Sequence, residues 1–351
     1  MIYRSPFPDV ELPDLPLTTY VLAGAGHGDK PALIDGVSGR VLTYADLASA
    51  IRSLAGGLVA SGFAQGDVLA LMAPNMPEYA VVFHAAAMAG GVVTTINPAY
   101  TEPEVRNQLK DCGARILVTV PPLTEMAARA CTGTKVAEIY TIGEAEGAKP
   151  LSGLFGAPLA EHVPVAPDDV VALPYSSGTT GLCKGVMLTH RNLVVNTAQL
   201  LALLQLQPDD SLIAVLPFFH IYGMEVMMKG YLNNPQATAA MIEPDGWLHT
   251  GDLGHLDADG HLYVVDRLKE LIKYKGFQVP PAELEAVLLR HRDVTDAAVV
   301  GLPDEEAGEI PFGYVTLRPG ASASLEEIMQ FAAAQVASYK QIRRLEVVET
   351  I

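Results

Sequence analysis

Four hydroxyl residues, three glycines and a lysine lie within ten consecutive positions of this chain. They are Ser176, Ser177, Gly178, Thr179, Thr180, Gly181, Lys184 and Gly185. Glycine lets the backbone turn its N–H groups toward an anion, hydroxyls add hydrogen-bond donors, and lysine adds a positive charge. The combination therefore predicts a site for a polyphosphate.

The spacing of this segment separates it from the commonest phosphate loop. Gly178-x-x-Gly181-x-x-Lys184 does not have the G-x4-G-K-[S/T] spacing of a Walker loop. The competing interpretation is a solvated hairpin turn rich in glycine, serine and threonine. A plain turn is shorter and needs neither the hydroxyls nor the lysine, so the phosphate-binding interpretation is favoured.

Residues 175–192, YSSGTTGLCKGVMLTHRN, closely resemble the phosphate loop of the adenylate-forming superfamily. That superfamily contains acyl-CoA synthetases, 4-coumarate–CoA ligases, luciferases and adenylation domains. The usual pattern has proline where this chain has Cys183, a change expected to alter loop stiffness more than chemistry. The resemblance implies that residues 176–181 and Lys184 bind the phosphates of ATP, with Lys184 catalytic and Thr180 beside Mg²⁺.

A second segment, GWLHTGDLG at 246–254, resembles the family motif whose aspartate holds the ribose of the nucleotide. Here that residue is Asp252, whose carboxylate could accept hydrogen bonds from both ribose hydroxyls. The resemblance also identifies Asp266 and Arg267 as the hinge between a large and a small domain, with Arg267 contacting ribose or phosphate. Without the neighbouring family motifs, Gly251 and Asp252 would be interpreted as an ordinary turn.

The segment VVDRLKELIKYKGFQVPPAELE at 264–285 extends this resemblance. It implies that Lys273 and Gln278 face the acyl adenylate and take part in catalysis. It also implies that Lys275 and Gly276 belong to the loop that swings toward the CoA tunnel. Without the family pattern, these lysines would be interpreted as a solvated charge run.

The segment LPFFHIYGM at 216–224 resembles the wall of the acyl pocket. The resemblance implies that His220 lies beside the carboxylate of the substrate and that Tyr222 lies near its acyl group. A histidine among aromatic residues is more often a hydrogen-bonded core residue, and this remains the competing interpretation for His220. His190 and His249 are assigned to capping and packing.

The reaction that the resemblance implies has two steps. The carboxylate of a small-molecule acid attacks the α-phosphate of ATP and expels pyrophosphate, and the thiol of CoA then displaces AMP from the acyl adenylate. The first step needs donors and charge around the phosphates, and the second needs a domain rotation that opens a thiol path. The acid is expected to be of the 4-coumarate or fatty acyl type.

Alternating helix and strand patterns in the first 120 residues predict an α/β fold with a mostly parallel sheet flanked by helices. Thr43 with Asp46 and Thr101 with Glu104 are capping boxes. The last 85 residues predict a compact α+β unit, with a helix from Pro280 and another capped by Ser324. We expect a large N-terminal AMP-binding domain at 1–266 and a small C-terminal domain at 267–351.

Part of the family pattern is missing from this chain. Between Met224 and Glu225 the family has a segment with the adenine-binding loop, much of the acyl pocket and a glutamate that helps to hold Mg²⁺, so the large domain is expected to be incomplete around 224–226. The family's final Ser-Gly-Lys motif is also missing, and Lys340, followed by Gln341, does not match it. A deleted gene product, an engineered protein and an incomplete sequence remain alternatives, and we expect the chain as written to be impaired in adenylation.

Two other functions remain open at this point. The chain could be an adenylation domain that loads a carrier protein, although it contains no carrier module. It could also be a remnant that binds a nucleotide without catalysis. The missing lysine and glutamate favour the remnant, whereas the phosphate loop and hinge favour the ligase.

The composition excludes several other classes. A chain of 351 residues with 50% hydrophobic residues predicts a globular protein, and a formal charge of −17 without a basic stripe argues against nucleic-acid binding. Three cysteines without metal-like spacing fit a reducing cytoplasm. The start at Met1 does not match a signal peptide. The apolar stretch from Tyr79 to Ile96 is interpreted as a buried helix followed by a strand, not as a membrane segment. A homodimer is left open.

Overall fold

The structure is a computed structural model, which describes residues 9–23, 28–176, 183–204, 207, 210–214, 216–219, 229–245, 247, 249, 252–256, 262–267, 271–318, 320–348 and 350–351. For residues 252–256 and 262–267 it describes the backbone alone. The chain divides into two compact units. Unit 1 consists of Met1–Pro98, Leu109–Pro174 and Val186–Gly230, and unit 2 of Ala99–Gln108, Tyr175–Gly185 and Tyr231–Ile351.

The helices and strands alternate along most of the chain. The helices are α1 (Leu17–Ala23), α2 (Tyr44–Ala60), α3 (Pro77–Met88), α4 (Glu102–Cys112), α5 (Thr124–Cys131), α6 (His190–Leu204), α7 (Pro235–Met241), α8 (Pro281–Leu288) and α9 (Leu325–Ala333). The strands are β1 (Pro31–Ile34), β2 (Val41–Thr43), β3 (Val68–Leu71), β4 (Val92–Thr95), β5 (Ile116–Thr119), β6 (Glu138–Thr141), β7 (Lys149–Pro150), β8 (Val170–Ala172), β9 (Tyr175–Ser176), β10 (Lys184–Thr189), β11 (Gly230–Tyr231), β12 (Asp252–Leu256), β13 (Leu262–Arg267), β14 (Ile272–Tyr274), β15 (Phe277–Val279), β16 (Val294–Asp304), β17 (Gly308–Leu317) and β18 (Arg344–Val347). Short 3-10 helices lie at Pro121–Leu123, Leu151–Leu154 and Ser338–Lys340.

The sheet of unit 1 has a parallel centre. Its strands run in the order β10-β8-β4-β3-β5-β6-β7, and β10 is antiparallel to β8 whereas the remaining neighbours are parallel. Every residue of β4 and of β5 is buried, as expected for parallel strands covered on both faces. The predicted α/β class is therefore confirmed. The weakly patterned stretch 121–168 contributes β6, β7 and α5, which the sequence did not predict.

Helix α2 begins at the predicted capping box. The Thr43 hydroxyl accepts a hydrogen bond from the Asp46 N–H at 3.1 Å, and the Asp46 carboxylate accepts one from the Thr43 N–H, also at 3.1 Å. Its apolar side packs on α3, which starts with Pro77 at the first helical position. The predicted helix-then-strand interpretation of 79–96 is confirmed by α3 and β4. Within the described residues, no helix has the length and apolarity to cross a bilayer.

Two consecutive glycines of α2 allow another segment of unit 1 to approach its backbone. A Cβ atom at Gly56 would lie 1.8 Å from the carbonyl oxygen of Ala157, and one at Gly57 would lie 1.6 Å from that of Leu154. The Gly156 N–H also donates to the carbonyl oxygen of Ser53 at 2.9 Å. The segment that contains Leu154 and Ala157 can therefore approach α2 only because Gly56 and Gly57 have no side chain.

Unit 2 contains an antiparallel sheet in the order β15-β14-β17-β16, with β18 parallel to β17. Its core is formed by apolar side chains of α8, α9 and these strands, including Leu284, Leu288, Val315 and Ile328. Helix α9 begins at the predicted Ser324 capping box, and α8 begins after Pro280, so both predicted helices are confirmed. The predicted domain boundary at Asp266 and Arg267 lies within β13 and stays a prediction.

Two histidines of unit 1, the buried His190 and the half-buried His84, form hydrogen bonds. The Leu17 N–H donates to Nδ1 of His190 at 3.1 Å, and the Thr18 hydroxyl lies 3.2 Å from Nδ1 of His84. Burial lowers the pKa of the His84 imidazole to about 4, and burial together with nearby His162 lowers that of His190 to about 4. Both rings are therefore neutral at pH 7, which leaves Nδ1 of His190 free to accept.

We predict that Gly57→Ala destabilises the protein, although alanine favours helix formation. The added methyl group would displace the carbonyl of Leu154, and overpacking of this kind costs about 1–3 kcal/mol. Urea unfolding followed by circular dichroism measures the change. The matched control is Gly153→Ala, because a Cβ atom there meets no atom of a described residue within 4 Å. Equal stability of the two variants would contradict the close approach at α2.

We predict that the free energy of unfolding falls as the pH drops from about 6.5 to about 4. In this window the unfolded chain binds a proton at each histidine and the folded chain does not, so acid favours unfolding by up to about 1.4 kcal/mol per pH unit and histidine. His190→Asn retains an acceptor for the Leu17 N–H but cannot titrate. Urea unfolding at pH 7, 6 and 5 should show a shallower slope for this variant, and an unchanged slope would refute the assignment.

Candidate functional site

The two ends of the predicted phosphate loop lie opposite each other in unit 2. Strands β9 and β10 are antiparallel, with Lys184 paired with Ser176 and Gly185 paired with Tyr175. The predicted site residues between them lie outside the described residues: Ser177, Gly178, Thr179, Thr180 and Gly181. The pairing thus places the predicted cation directly across from the first predicted hydroxyl.

The ammonium group of Lys184 rests on an aromatic ring that the sequence did not single out. Its Nζ atom lies 5.2 Å from the centre of the Tyr231 ring, within the range of a cation–π contact. Burial raises the pKa of the Tyr231 phenol, and the Ser176 side chain acts in the opposite direction. Tyr231 therefore contacts the described end of the loop at Lys184.

The predicted ribose and hinge residues are partners in a second antiparallel pair. In β12 and β13, the Cα partner of Asp252 is Arg267, and that of Leu253 is Asp266. The two motifs are about 15 positions apart in sequence and are brought together by this ladder. The backbone thus supports a shared location for Asp252 and Arg267.

The predicted catalytic residues Lys273 and Gln278 are partners in a third antiparallel pair, between β14 and β15. The connecting turn consists of Lys275 with φ +48° and Gly276 with φ +82°. Two consecutive positive φ values are typical of the type I′ turn, whose twist matches that of the flanking strands. Both side chains of the Lys273–Gln278 pair are exposed.

Two carboxylates hold this hairpin to the β16–β17 hairpin of the same unit. Glu309 accepts a hydrogen bond from the Lys273 N–H at 2.7 Å, and Glu306 accepts one from Lys275 Nζ at 2.8 Å. The hydrogen bond to Glu306 raises the pKa of Lys275. Because the Lys275–Glu306 pair is exposed, we treat it as a weak contact that competing anions can replace.

The predicted acyl-pocket segment is described in part. His220 and Tyr222 lie outside the described residues, whereas Phe218 packs edge-on against Tyr79 with ring centres 5.6 Å apart. Asn75 organises the segment: its side-chain amide donates to the carbonyl oxygens of Ala214 and Leu216 and accepts from the Phe218 N–H. Asn75 was not predicted, because its only signal in the sequence is its position after a strand and a proline.

A fully buried lysine was also missed. Lys340 is 2% exposed, and its Nζ atom lies 2.8 Å from Glu283 Oε1 and 2.9 Å from Glu104 Oε1. The same atom lies 4.7 Å from the centre of the Tyr100 ring and 5.8 Å from that of Tyr339. We call these five residues, all of unit 2, the Lys340 cluster. Lys340 does not match the family's final lysine motif, so no role was predicted for it.

The charges of the Lys340 cluster are strongly coupled. Burial acts to lower the pKa of Lys340, but Tyr100, Glu283 and Glu104 outweigh it and hold that pKa above its usual value. Burial raises the pKa of Glu283, whose second oxygen has no hydrogen-bond partner among the described residues. The ammonium therefore remains protonated and holds both carboxylates.

Among the described residues, no group of three histidine, cysteine, aspartate or glutamate side chains comes together in a way that could hold a metal ion. Thr180, the predicted Mg²⁺ contact, lies outside them, so that contact stays a prediction.

The sequence matches two family profiles. The profile described as AMP-binding enzyme matches residues 22–238, and the profile described as AMP-binding enzyme C-terminal domain matches residues 283–351. The chain belongs to the AMP-binding enzyme family. This result confirms the resemblance that the phosphate loop indicated, and it makes the chain a member of an adenylate-forming family of acid–CoA ligases.

Relatives of this family member include plant enzymes. 4-Coumarate–CoA ligase 5 of Oryza sativa subsp. japonica is 32% identical over 510 positions that cover 100% of this chain and 94% of that protein. 4-Coumarate–CoA ligase 2 of Solanum tuberosum is 32% identical over 519 positions, with the same coverages. The alignment is thus far longer than the 351 residues of the chain.

Solved structures share the fold. An o-succinylbenzoate CoA synthetase from Bacillus subtilis superposes with a TM-score of 0.81 at 21% identity, covering 96% of this chain and 95% of that one. A long-chain-fatty-acid–CoA ligase from Archaeoglobus fulgidus gives a TM-score of 0.77 at 18% identity, with 99% of each chain covered. These likenesses confirm the architecture of a large N-terminal and a small C-terminal domain.

We predict that Lys340→Met strongly destabilises this family member. The substitution leaves two carboxylates buried without their cation, and breaking a buried pair in this way costs about 3–5 kcal/mol. Urea unfolding at pH 7 measures the loss. Lys275→Met is the matched control, because it removes the exposed ion pair with Glu306 and should stay close to the wild type. Similar effects of the two substitutions would show that the Lys340 cluster is not desolvated as described.

Proposed function

We propose that the chain has the active-site plan of an ATP-dependent acid–thiol ligase that joins a small carboxylic acid of the 4-coumarate or fatty acyl type to CoA. The observation that carries this proposal is the pairing of Lys184 with Ser176 at the two ends of the Gly/Ser/Thr segment. Antiparallel pairing returns the chain on itself, so the lysine and the hydroxyls serve one anion site. The family membership supports ATP as that anion.

In this proposal, the first step forms the acyl adenylate. A carboxylate oxygen of the acid bonds to the α-phosphorus of ATP as the bond to pyrophosphate breaks. Lys184 neutralises charge on the departing phosphates, and the hydroxyls and N–H groups of residues 176–181 orient them. Asp252 accepts from the ribose hydroxyls, Arg267 contacts ribose or phosphate, and His220 lies beside the attacking carboxylate.

The second step transfers the acyl group. The thiol sulfur of CoA bonds to the acyl carbon as its bond to the AMP oxygen breaks. Lys273 and Gln278 face the adenylate as a cross-strand pair, and the turn of Lys275 and Gly276 borders the path of the thiol. The exposed Lys275–Glu306 contact can open at little cost, which suits a cation that must meet phosphates of CoA.

We further propose that the 351-residue chain carries out adenylation poorly. The family segment expected between Met224 and Glu225 would supply the adenine-binding loop and much of the acyl pocket, and this sequence has no counterpart for it. The alignment of the rice relative over 510 positions supports an internal gap. Without those walls, the phosphates can be held while the acid and the base of the nucleotide are poorly aligned.

We propose a hinge at Asp266 and Arg267 between domains 1–266 and 267–351, a cytoplasmic location and no nucleic-acid partner. Three free cysteines, Cys112, Cys131 and Cys183, agree with a reducing compartment. Intact mass and light scattering of the native protein would test the length and the homodimer.

We predict that Lys184→Ala weakens the binding of ATP and of pyrophosphate by about tenfold or more, because a charge-assisted contact is lost. AMP lacks the departing phosphates, so its affinity should change much less. Isothermal titration calorimetry measures all three ligands, and Lys135→Ala, at an exposed lysine of unit 1, serves as the matched control.

Measurements on the wild-type protein test separately the two parts of the proposal, which are the ligase active-site plan and the impaired adenylation. Absence of binding to ATP, AMP and pyrophosphate by the wild type would overturn the ligase plan. Rapid ATP–pyrophosphate exchange with 4-coumarate or a fatty acid would overturn the proposed impairment and leave the plan in place. Equal losses for AMP and ATP in Lys184→Ala would remove Lys184 from the phosphate site.

A further inference from the structure

We propose that Glu309 is a positioning residue for the Lys273–Gln278 pair, because its carboxylate holds the backbone of Lys273 and so fixes the β14–β15 hairpin against β17. The proposal rests on the proposed function for what the pair faces, whereas the attachment itself does not depend on it. All of these residues belong to unit 2.

The Lys273 N–H points away from the partner strand of its own hairpin. In the type I′ turn at 275–276, the flanking residues Tyr274 and Phe277 form the first, hydrogen-bonded pair of the ladder. Hydrogen-bonded and non-hydrogen-bonded pairs alternate in an antiparallel ladder, so the Lys273–Gln278 pair is of the second kind. Its backbone N–H groups are therefore directed toward neighbours outside the hairpin.

Glu309 provides the acceptor for the Lys273 N–H. Among the described residues, the three-residue strand β14 meets β17 at a single register pair, Tyr274 with Gly308. Next to this pair, Oε2 of Glu309 accepts a hydrogen bond from the Lys273 N–H at 2.7 Å. A hydrogen bond to a carboxylate is stronger than one between neutral groups, so this side chain compensates for the short backbone ladder.

Gly301, on β16, leaves space for the carboxyl group of Glu309. A Cβ atom at Gly301 would lie 3.1 Å from both Cδ and Oε2 of Glu309 and 3.4 Å from Oε1. The φ angle of Gly301 is not positive, so its backbone conformation does not require glycine. The glycine is therefore explained by the space that the carboxyl group occupies.

The attachment leaves the side chains of the pair available to a substrate. Glu309 binds the backbone of Lys273, and within the described chain the Lys273 ammonium forms no ion pair. The side chains of Lys273 and Gln278 are both exposed. Side chains directly opposite each other in a ladder lie on the same face of the sheet, so fixing the backbone at Lys273 fixes the direction of both. Glu309 thus acts on the pair through the backbone.

Hydrogen–deuterium exchange tests the attachment without any substrate. Glu309→Ala should speed exchange of the Lys273 amide about tenfold, the effect of losing one hydrogen bond to a charged group. Glu309→Gln keeps an oxygen acceptor without the charge, so its rate should lie between those of Glu309→Ala and the wild type. The matched control is Glu305→Ala, which removes an exposed carboxylate from the adjoining turn and should exchange at the wild-type rate.

A double-mutant cycle with Gly301→Ala tests the geometry. The added methyl group should displace the carboxyl group and speed exchange of the Lys273 amide, by less than Glu309→Ala does. In a Glu309→Ala background the same methyl group should add nothing, because both changes act on one contact. Exchange in α8 should change much less than at Lys273, which separates local release from general unfolding.

Three results would overturn the attachment. They are an unchanged rate for the Lys273 amide in Glu309→Ala, multiplying effects in the double variant, and equal acceleration at Lys273 and in α8. An effect of Glu305→Ala as large as that of Glu309→Ala would also overturn it, since any carboxylate near the turn would then serve.

Acyl transfer tests the positioning role. A preformed acyl adenylate, 4-coumaroyl or fatty acyl, is supplied with CoA, so that the adenylation step is bypassed and formation of acyl-CoA is followed. Glu309→Ala should lower kcat about tenfold with little change in the KM for CoA, because the pair is misaligned while the CoA path is intact. Glu309→Gln should restore part of the loss, and Glu305→Ala should match the wild type.

The outcomes separate this proposal from the proposed function. An unchanged kcat in Glu309→Ala would refute positioning even if exchange shows the attachment. If the wild type transfers no acyl group, the proposed function fails, and the exchange cycle still decides whether Glu309 holds the Lys273–Gln278 pair.

Discussion

The buried ammonium of Lys340 joins three separate elements of unit 2. A charge taken out of water is tolerated only while it stays paired, since an unpaired buried ion costs several kcal/mol. Its partners Glu104 and Glu283 are 236 and 57 residues away in sequence. The start of α4, the first turn of α8 and the 3-10 helix at Ser338–Lys340 must therefore stay together for the charge to remain satisfied.

Antiparallel strand pairing places predicted site residues opposite each other. Six of the predicted residues form three register pairs: Ser176 with Lys184, Asp252 with Arg267, and Lys273 with Gln278. In each case a short ladder turns separation along the chain into contact across strands. The tightest of these turns is made at Lys275 and Gly276, where two positive φ values are needed and glycine meets the second without strain.

The sequence predicted those elements whose hydrogen bonds or burial depend on residues close together in the chain. The capping boxes at Thr43 and Ser324 and the buried run of β4 each depend on residues a few positions apart, and all were confirmed. Strand β6 was missed because it has four residues and begins with Glu138, which pairs with Lys149. Lys340 was missed because its partners are distant and because Glu104 already had a local explanation as a helix cap.

The Glu104 carboxylate binds both a neighbour at the start of its own helix, Thr101, and a residue distant in sequence, Lys340. Its Oε2 atom accepts from the N–H and hydroxyl of Thr101, and its Oε1 atom accepts from Lys340, so both oxygens are used. Within the part of the chain that the structure describes, one oxygen of Glu283 has no partner, and Glu283 lies in the first turn of α8, where the helix dipole favours negative charge. The Lys340 cluster has two carboxylates for one ammonium, and the carboxylate with the unpartnered oxygen lies on α8, which begins two residues after β15. Because that strand carries Gln278 opposite Lys273, the electrostatic balance of the core and the placement of the candidate site depend on the same short stretch of chain.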